Sequence, residues 1–430
     1  MENNFLKVLK NANFNRLWGS QILSVFCAYM LNFALSYKLF TLTGKSLSVS
    51  LLYVFYYAPV YILGFFSGVF IDHFSRRRIL LITNILQAIC VLFYLFIGNN
   101  FWLIYAIIFV YSMIDQFYLP AESAYLPELV KKEELPVANS FFNFASFGGL
   151  FFGFVLGGPI MLAFGVNAPF YLASLFLWIA ALSAFLLPQD TPPKDFHFLK
   201  QDFFVKTKED ILENLRFIWS RPKIYFSMLI TLFFMMIVAM MAVILPAFGE
   251  QVLNINLLNI SWIIIFPIAI GAILGAIGVE KRIGSTGKRK LIGLGGLICG
   301  LVLLAVYFLA RLGESTLFLP ENLVVIMLPL AAVLGFGVSL VMIPAQTLLQ
   351  EETPNQIRGR VFGAQKLLQG IFLIIPTVFS AVLADILGVK VLLLVIGVLI
   401  LSGTFLSFFY RNNHKPVLAI EKQQEKTEKV

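Results

Sequence analysis

The chain has almost no charge inside its long apolar stretches. Between Arg16 and Arg411 it divides into twelve stretches of roughly 19–27 residues, and an α-helix needs about 20 apolar residues to cross about 30 Å of hydrocarbon. Charged residues make up 13% of the chain, against about a quarter in soluble domains. This scarcity excludes a large soluble core and predicts an all-α integral membrane protein. The charged residues well inside the stretches are Lys38, Asp115, Glu122 and Lys366.

Residues typical of catalytic and metal sites are also scarce. Cys27, Cys90 and Cys299 lie in apolar stretches without a Cys/His cluster, so we interpret them as packed hydrophobic residues. The sequence has no Gly-x-x-x-x-Gly-Lys-Ser/Thr loop and no His-Glu-x-x-His motif, so we expect no enzyme activity, cofactor or metal. The net charge of +9 does not indicate a nucleic-acid partner, because the basic residues are spread between the stretches.

The apolar stretches predict twelve transmembrane helices, which we call spans 1 to 12. Basic residues should stay on the cytoplasmic side of a membrane. Nearly all of the 32 Lys and Arg fall on the side that holds both termini, so both termini are predicted to be cytoplasmic. The exceptions are Lys38, Lys45, Arg311 and Lys390. The predicted spans are 17–40, 47–71, 79–97, 101–124, 139–164, 168–187, 224–247, 258–279, 291–310, 323–349, 361–385 and 390–410.

The one long internal connection divides the chain into two halves. It begins with a proline-rich segment at Pro188 that no helix continues through. Apolar residues between Ile211 and Trp219 recur at helical spacing, which predicts an amphipathic helix on the membrane surface. The predicted domains are an N-terminal six-helix bundle (1–187), a cytoplasmic linker (188–223), a C-terminal six-helix bundle (224–410) and a charged, disordered cytoplasmic tail (411–430).

An internal repeat supports this division. Pro120-Ala121 in span 4 and Pro344-Ala345 in span 10 stand 224 residues apart, and the same offset aligns Glu128 with Glu352. A basic cluster also follows both span 2 and span 8. Duplicated halves are typical of secondary transporters. We therefore expect two pseudo-symmetric six-helix bundles.

The segment from Gly68 to Arg78 resembles a family signature. Gly68, Asp72, Arg76 and Arg77 match the Gly-x-x-x-Asp-Arg-x-Gly-Arg-Arg loop of the major facilitator superfamily. The resemblance implies a conformational latch, in which Asp72 satisfies the N-terminus of a neighbouring helix in one access state. The positive-inside rule alone would explain the arginines, but not Gly68 and Asp72.

Further segments resemble the bacterial branch that holds macrolide-efflux-type drug/proton antiporters and enterobactin-type siderophore exporters. Where branch members often carry an Asp in span 1, this chain has Ala28, and Glu122 stands where Arg is usual. The matching segments are Phe14-Asn15-Arg16-Leu17-Trp18, Leu42-Thr43-Gly44, Pro120-Ala121, Leu126-Pro127-Glu128, Glu134-Leu135, Ala138-Asn139-Ser140 and Arg358-Gly359-Arg360-Val361-Phe362-Gly363.

The embedded acids of span 4 are the candidates for proton coupling. Asp115 and Glu122 are seven residues apart, so they lie on nearly the same helix face. A charged side chain at mid-bilayer costs at least about 2.5–3.5 kcal/mol, so such residues are usually functional or paired. The alternative for Asp115 is a structural ion pair with a basic residue near the cytoplasmic side.

Two further sets of residues are candidates for the transport path. Polar and aromatic residues of span 1, with methionines of span 7, are expected to line the substrate cavity. Span 5 resembles an antiporter-associated glycine pattern, and its glycine face is expected to meet another backbone, with span 8 offering a partner surface. The cavity candidates are Gln21, Tyr29, Asn32, Phe33, Met236 and Met240, and the interface glycines are Gly149, Gly153, Gly157, Gly271 and Gly275.

The resemblance implies an alternating-access secondary transporter in a bacterial inner membrane. We expect proton-coupled export of amphipathic small molecules of the drug or siderophore type by a monomer in the lipid bilayer. A lysophospholipid translocase of the same fold is one alternative. A non-transporting membrane receptor or scaffold is the other, and it would need neither the latch nor the repeat.

Overall fold

A computed structural model describes residues 2–71, 74–98, 100–190, 218, 221–312, 320–353 and 358–413. Within these ranges every regular element is helical, and twelve helices are long and apolar enough to cross a membrane. The predicted fold class is therefore confirmed. Spans 1 to 6 are Ala12–Thr43, Ser46–Ile71, Arg76–Leu92, Phe101–Leu129, Leu135–Phe164 and Ala168–Phe185; spans 7 to 12 are Pro222–Gln251, Phe266–Thr286, Lys288–Leu312, Pro320–Glu352, Arg358–Leu387 and Val389–Asn413.

Glycine turns separate several neighbouring spans. Gly44 ends span 1 with a φ of 65°, and its N–H donates to the carbonyl of Phe40 at 2.7 Å. Gly388 lies between spans 11 and 12 with a φ of 85°. Glycine adopts this left-handed conformation without the steric cost that a Cβ imposes. The chain can therefore reverse direction within one or two residues.

The N-terminus adds a short helix that was not predicted, Glu2–Lys10. Val8 on this helix is fully buried, whereas Phe5 and Leu6 are exposed. Asn11 then begins span 1, because its side-chain oxygen accepts hydrogen bonds from the backbone N–H groups of Asn13 and Phe14. Hydropathy alone places the start of span 1 at residue 17, because it detects the hydrocarbon-crossing part and not the cap.

The two sets of six helices pack in equivalent ways. In the N-terminal half, span 1 packs on span 5, span 2 on span 4, and span 3 on spans 4 and 6. In the C-terminal half, span 7 packs on span 11, span 8 on span 10, and span 9 on spans 10 and 12. The same neighbours therefore occur at corresponding positions. The predicted pseudo-symmetry between the halves is confirmed.

Two predicted segments fall largely outside the described residues. The amphipathic linker helix is one, although Ile218 at its end is buried against Ile224 and Leu349 of the C-terminal half. The other is the tail beyond Asn413. The exact domain bounds stay a prediction.

The two sides of the membrane are named by span 1. The "basic side" is the side on which span 1 begins, and the "opposite side" is the side on which span 1 ends.

Candidate functional site

Glu122 is buried in a polar chain that connects three spans. Its side chain is 1% exposed, and its carboxylate accepts a hydrogen bond from the Tyr118 hydroxyl at 3.1 Å. That hydroxyl also lies 3.3 Å from Ser20 Oγ of span 1. Asn84 of span 3 continues the chain, since its amide donates to Ser20 and accepts from Ser24 at 3.0 Å. The acid thus lies at one end of a buried hydrogen-bond network.

Asp115 has a different setting from Glu122. Its Oδ1 accepts a hydrogen bond of 2.9 Å from the amide of Gln87 in span 3, and its side chain is half-buried. Tyr29 of span 1 and Tyr56 of span 2 lie within electrostatic range of it. Among the described residues, neither Asp115 nor Glu122 forms an ion pair. The expected alternative of a structural ion pair for Asp115 is therefore not found there.

The C-terminal half has neutral residues at the corresponding positions. The 224-residue offset aligns Asp115 with Ser339 and Glu122 with Gln346. Ser339 donates to the carbonyl of Ala272, and Gln346 accepts from Gln365 at 3.3 Å. The repeat therefore keeps polar groups in both halves but places acids only in span 4 of the first.

The span 1 cavity candidates pack mainly against span 5. Gln21 is buried and donates to the carbonyl of Phe142 and to Ser146, both at 3.3 Å. The ring of Tyr29 contacts that of Phe154 with centroids 5.6 Å apart. Asn32 differs, because its side chain forms no hydrogen bond among the described residues, and its buried oxygen lacks a partner there, as does the Oε1 of Gln21. Because its amide is not engaged as that of Gln21 is, Asn32 is the strongest ligand-binding candidate of the set.

The methionine candidates belong to the C-terminal half. Met240 is 5% exposed and lies in its hydrophobic core, and Met236 is partly buried against the same core. Tyr37 at the end of span 1 packs against this core as well. Met236 is therefore the better placed of the two for contact with a ligand, whereas Met240 serves packing.

The glycine face of span 5 contacts span 1 of its own half. A Cβ on Gly153 would lie 2.7 Å from Tyr29 Cβ and 2.9 Å from the carbonyl oxygen of Phe26. Gly149 and Gly157 meet Val25 and Phe33 of the same helix. The face permits close helix packing, as predicted, but its partner is span 1.

The glycine face of span 8 contacts span 10, which corrects the expected partner. A Cβ on Gly271 would overlap the carbonyl of Ala332, and one on Gly275 would lie 2.8 Å from the carbonyl oxygen of Phe336. Because both faces are occupied within their own halves, they are not partners of each other in this conformation.

The arginines after span 2 are held within the N-terminal half. Arg76 forms an ion pair of 2.6 Å with Glu128 at the end of span 4. Arg77 donates to the carbonyl of Phe185 at 2.5 Å and lies over its ring. Gly68 lies within the helix of span 2, and Asp72 lies outside the described residues. The latch function of these four residues stays a prediction.

Asp190 caps span 3, a role that sequence reasoning missed. Its carboxylate accepts hydrogen bonds of 2.5 Å from Ser75 Oγ and from the backbone N–H of Arg76. The N–H of Arg77 donates to it at 3.3 Å. The first N–H groups of a helix lack partners within the helix, so an acid there is favourable. No local pattern indicates this contact, because Asp190 is 114 residues from Arg76.

The C-terminal half repeats the ion pair of the N-terminal half. Lys288 at the start of span 9 pairs with Glu351 at the end of span 10. Arg76 and Glu128 occupy the corresponding ends of spans 3 and 4. The internal repeat aligned Glu128 with Glu352, so the pairing residue is one position away from the aligned one.

An acid joins the two halves near the opposite side. Asp385 at the end of span 11 accepts hydrogen bonds from the backbone N–H groups of Ser46 at 2.8 Å and Leu47 at 3.0 Å. Ser46 and Leu47 are the first two residues of span 2. The contact combines two hydrogen bonds with a favourable charge at a helix N-terminus.

A second contact joins spans 5 and 8 on the same side. The hydroxyl of Ser261 donates to the carbonyl of Phe154 at 3.1 Å and accepts from the N–H of Gly158 at 3.2 Å. Ser261 begins a π-helical turn that leads into span 8. A Cβ on Gly158 would lie 2.7 Å from Ser261 Oγ, so the contact requires glycine.

The space between the halves near the opposite side is small. A cavity of about 40 Å³ remains there, bordered by Phe33, Tyr53 and Phe154 of the N-terminal half and Leu245 of the C-terminal half. Further along, the Tyr61 hydroxyl of span 2 occupies the space beside Gly370 of span 11. The halves therefore close on each other from the opposite side towards the middle of the membrane.

Comparison with known proteins agrees with this geometry. The sequence profile of the Major Facilitator Superfamily matches residues 17–376. The chain belongs to this superfamily. This is a superfamily of transporters, and the twelve apolar helices in two related halves agree with membership in it.

Two bacterial relatives cover most of this major facilitator protein. It is 27% identical over 374 residues to an uncharacterized MFS-type transporter, YfiS, of Bacillus subtilis, with 84% of each chain covered. It is 21% identical over 395 residues to macrolide efflux protein A of Streptococcus pyogenes, with 90% of this chain and 93% of the relative covered. The expected resemblance to macrolide-efflux-type proteins is thus confirmed as a similarity in sequence.

Solved structures show the same fold at low sequence identity. The POT family transporter PepTSo superposes with a TM-score of 0.70 at 13% identity, covering 94% of this chain and 98% of its own. A bacterial homologue of the iron transporter ferroportin, in an inward-facing state, superposes with a TM-score of 0.69 at 12% identity, covering 92% and 98%.

Proposed function

We propose that this major facilitator protein exports amphipathic small molecules in exchange for protons. The observation that carries the proposal is the pair of acids in span 4, Asp115 and Glu122, which lie inside the membrane without an ion pair among the described residues. An uncompensated carboxylate in an apolar interior is costly, and a bound proton removes that cost. An acid that gains and loses a proton can therefore couple transport to a proton gradient.

Asp115 is the first candidate for the coupling acid and Glu122 the second. Asp115 is half-buried, and within the described part of the chain its one hydrogen bond comes from Gln87, so exchange of a proton requires little rearrangement. Glu122 is 1% exposed at the end of a hydrogen-bond network. A proton on Glu122 would have to pass through that network, which makes it better suited to hold a proton than to exchange one.

Alternating access follows from the way in which the halves meet. The contacts at Asp385 and Ser261 close the opposite side, and the superfamily latch at Gly68, Asp72, Arg76 and Arg77 would act on the basic side. Export requires each side to open in turn. We propose that the conformation described here is open towards the basic side, and that the latch closes when the opposite-side contacts break.

The orientation in the membrane follows from the charge distribution. The basic side holds most of the Lys and Arg, so the positive-inside rule makes it cytoplasmic in a bacterial inner membrane. The substrate class rests on the similarity to macrolide efflux protein A and on the aromatic and polar character of span 1. Asn32 would then bind a polar group of the substrate, and Tyr29 and Met236 its apolar part.

Transport by purified protein in proteoliposomes tests the proposal. An imposed pH gradient should drive accumulation of a macrolide or another amphipathic drug by the parent protein. Asp115→Asn should lose this accumulation but keep downhill counterflow, because the substrate path is intact. The matched control is Glu133→Gln, which removes an exposed acid from the loop after span 4 and should keep both activities.

The outcome distinguishes a proton-coupling role of Asp115 from a structural role. Loss of counterflow together with accumulation in Asp115→Asn would make Asp115 a structural or substrate-binding residue. Accumulation equal to that of the parent would move the coupling to Glu122. Absence of any pH-driven transport by the parent, with counterflow present, would refute proton coupling and leave a uniporter.

A further inference from the structure

A large groove lies on the lipid-facing surface of the N-terminal half, between spans 3 and 4. Its volume is about 1110 Å³. Ile82 and Leu86 of span 3 and Val110 of span 4 line it and are 45–53% exposed. The described residues that line it all belong to the N-terminal half, and its apolar wall lies on spans that cross the membrane, so we assign the groove to the lipid-facing surface and not to the space between the halves.

The deep part of the groove is suited to a hydrocarbon chain. Met113, Ile114 and Phe117 of span 4 complete its wall opposite span 3. Leu86 lies two helical turns from Arg78, or about 12 Å deeper in the membrane at 1.5 Å per residue. The groove therefore extends well below the level of the lipid headgroups.

The end of the groove on the basic side carries positive charge. Arg77 and Arg78 line it there, together with Ser75 and Asp190. The carboxylate of Asp190 is directed to the N-terminus of span 3, where it accepts three hydrogen bonds. Its charge is thus balanced locally by that helix end.

Of the two arginines at this end of the groove, Arg78 is the one whose guanidinium is available to bind an anion. It is exposed, its backbone N–H donates to Ser75, and within the described ranges its guanidinium has no hydrogen-bond or ion-pair partner. Arg77 keeps its charge beside it while donating to Phe185. Guanidinium groups bind phosphate oxygens in a bidentate manner, so the pair is suited to a phosphate.

We propose that this groove binds an anionic phospholipid from the leaflet on the basic side. The phosphate lies at Arg78 and Arg77, and one acyl chain lies along Ile82, Leu86 and Val110. Basic pockets between transmembrane helices are sites for anionic headgroups. An acyl chain in the groove would cover the exposed apolar residues of its wall. A bound lipid would connect the starting half of span 3 with the middle of span 4 and the end of span 6, and this site is independent of the transported substrate.

Native mass spectrometry of the detergent-purified protein tests the site. The probes are phosphatidylglycerol and phosphatidylcholine with identical acyl chains. The parent should retain phosphatidylglycerol preferentially, and Arg78→Ala should weaken that binding about fivefold and weaken phosphatidylcholine binding less, because the choline cation offsets the charge of its phosphate. Arg78→Lys should retain most of the preference. The matched control is Lys132→Ala, which removes an equal charge from an exposed loop residue on the basic side and should behave as the parent.

A second variant tests the hydrocarbon part of the groove. Val110→Trp should reduce retention of both lipids by filling the wall, whereas Leu103→Trp, at an exposed apolar residue of span 4 outside the groove, should not. Equal retention of the two lipids by the parent, or equal behaviour of Arg78→Ala and Lys132→Ala, would overturn the proposal. Displacement of the lipid by millimolar inorganic phosphate would also overturn it, because the site would then bind a free anion.

Discussion

The carboxylate of Asp385 accepts a hydrogen bond of 2.8 Å from the backbone N–H of Ser46, across the two halves of the protein. The residues are 339 positions apart in the chain. Spans 2 and 11 run antiparallel, so the end of each lies beside the start of the other. Asp385 acts on the start of span 2 near the opposite side. We propose that the latch residue Asp72 acts near the basic side, on the N-terminus of a neighbouring helix.

Asp385→Asn should weaken closure on the opposite side. The amide keeps one oxygen acceptor but loses the charge, and a charge at an exposed helix N-terminus contributes about 0.3–1 kcal/mol. The population open to the opposite side should rise by about two- to fivefold. A cysteine placed at Ser36, which borders the small cavity between the halves, reports this opening through its alkylation rate in a cysteine-free background.

Glu250→Gln is the control for the Asp385 experiment. It neutralises an exposed acid at the end of span 7 on the same side of the membrane. Its alkylation rate at position 36 should match the parent. An unchanged rate in Asp385→Asn would show that the contact does not hold the halves together.

Gly158→Ala should disturb the contact between spans 5 and 8. The added Cβ would overlap the carbonyl of Leu258 and lie 2.7 Å from Ser261 Oγ, so the halves must separate there. Gly148→Ala is the matched control, because a Cβ at Gly148 meets nothing within 4 Å. Only Gly158→Ala should raise the alkylation rate at position 36. Equal rates in the two variants would refute Gly158 as part of the closure.

Gly153→Leu should impair folding more than transport cycling. Gly153 packs on Phe26 and Tyr29 of its own half, so a larger side chain strains a static core contact. Overpacking of this kind costs about 1–3 kcal/mol or more. The folded fraction after solubilisation, measured by size-exclusion chromatography, should fall relative to Gly148→Leu. A fully folded variant that is locked in one access state would instead make the face a moving interface.

Glu122 can be tested by comparing two substitutions. Glu122→Gln keeps an oxygen acceptor for Tyr118 and removes the possible charge, so thermal stability at neutral pH should stay close to that of the parent. Glu122→Ala leaves the buried Tyr118 hydroxyl without this acceptor and should cost about 1–3 kcal/mol. Equal destabilisation by both substitutions would show that the native state depends on an ionised Glu122.

The number of spans was predictable because it is a one-dimensional property. Length and hydropathy decide whether a helix can cross hydrocarbon, and both are read along the chain. Gly44 and Gly388 similarly indicate their turns, since the left-handed conformation depends on a single residue. The superfamily was predictable for the same reason, because its loop signature is a short contiguous segment.

The span 4 acids could be identified from the sequence, but their partners could not. Asp115 and Glu122 stand out as charges in an apolar stretch. Nothing in the sequence marks Gln87 and Tyr118 as their partners. Only packing brings Gln87 within hydrogen-bond distance of Asp115, and helix geometry with packing brings Tyr118 to Glu122. The glycine face of span 5 was visible by spacing, yet spacing does not say which helix lies against it.

Asp190 and Asp385 are the clearest examples of contacts that depend on tertiary packing. In the sequence both are single acids near the end of a span, where charge is ordinary. In the structure each caps a helix that is distant in the chain, because unsatisfied N–H groups and a positive dipole end attract whichever carboxylate the packing brings near. Twelve membrane-crossing helices, their repeat and the embedded acids can be recognised in the chain alone, since each depends on local composition. The close packing of the two halves decided which residues hold them together.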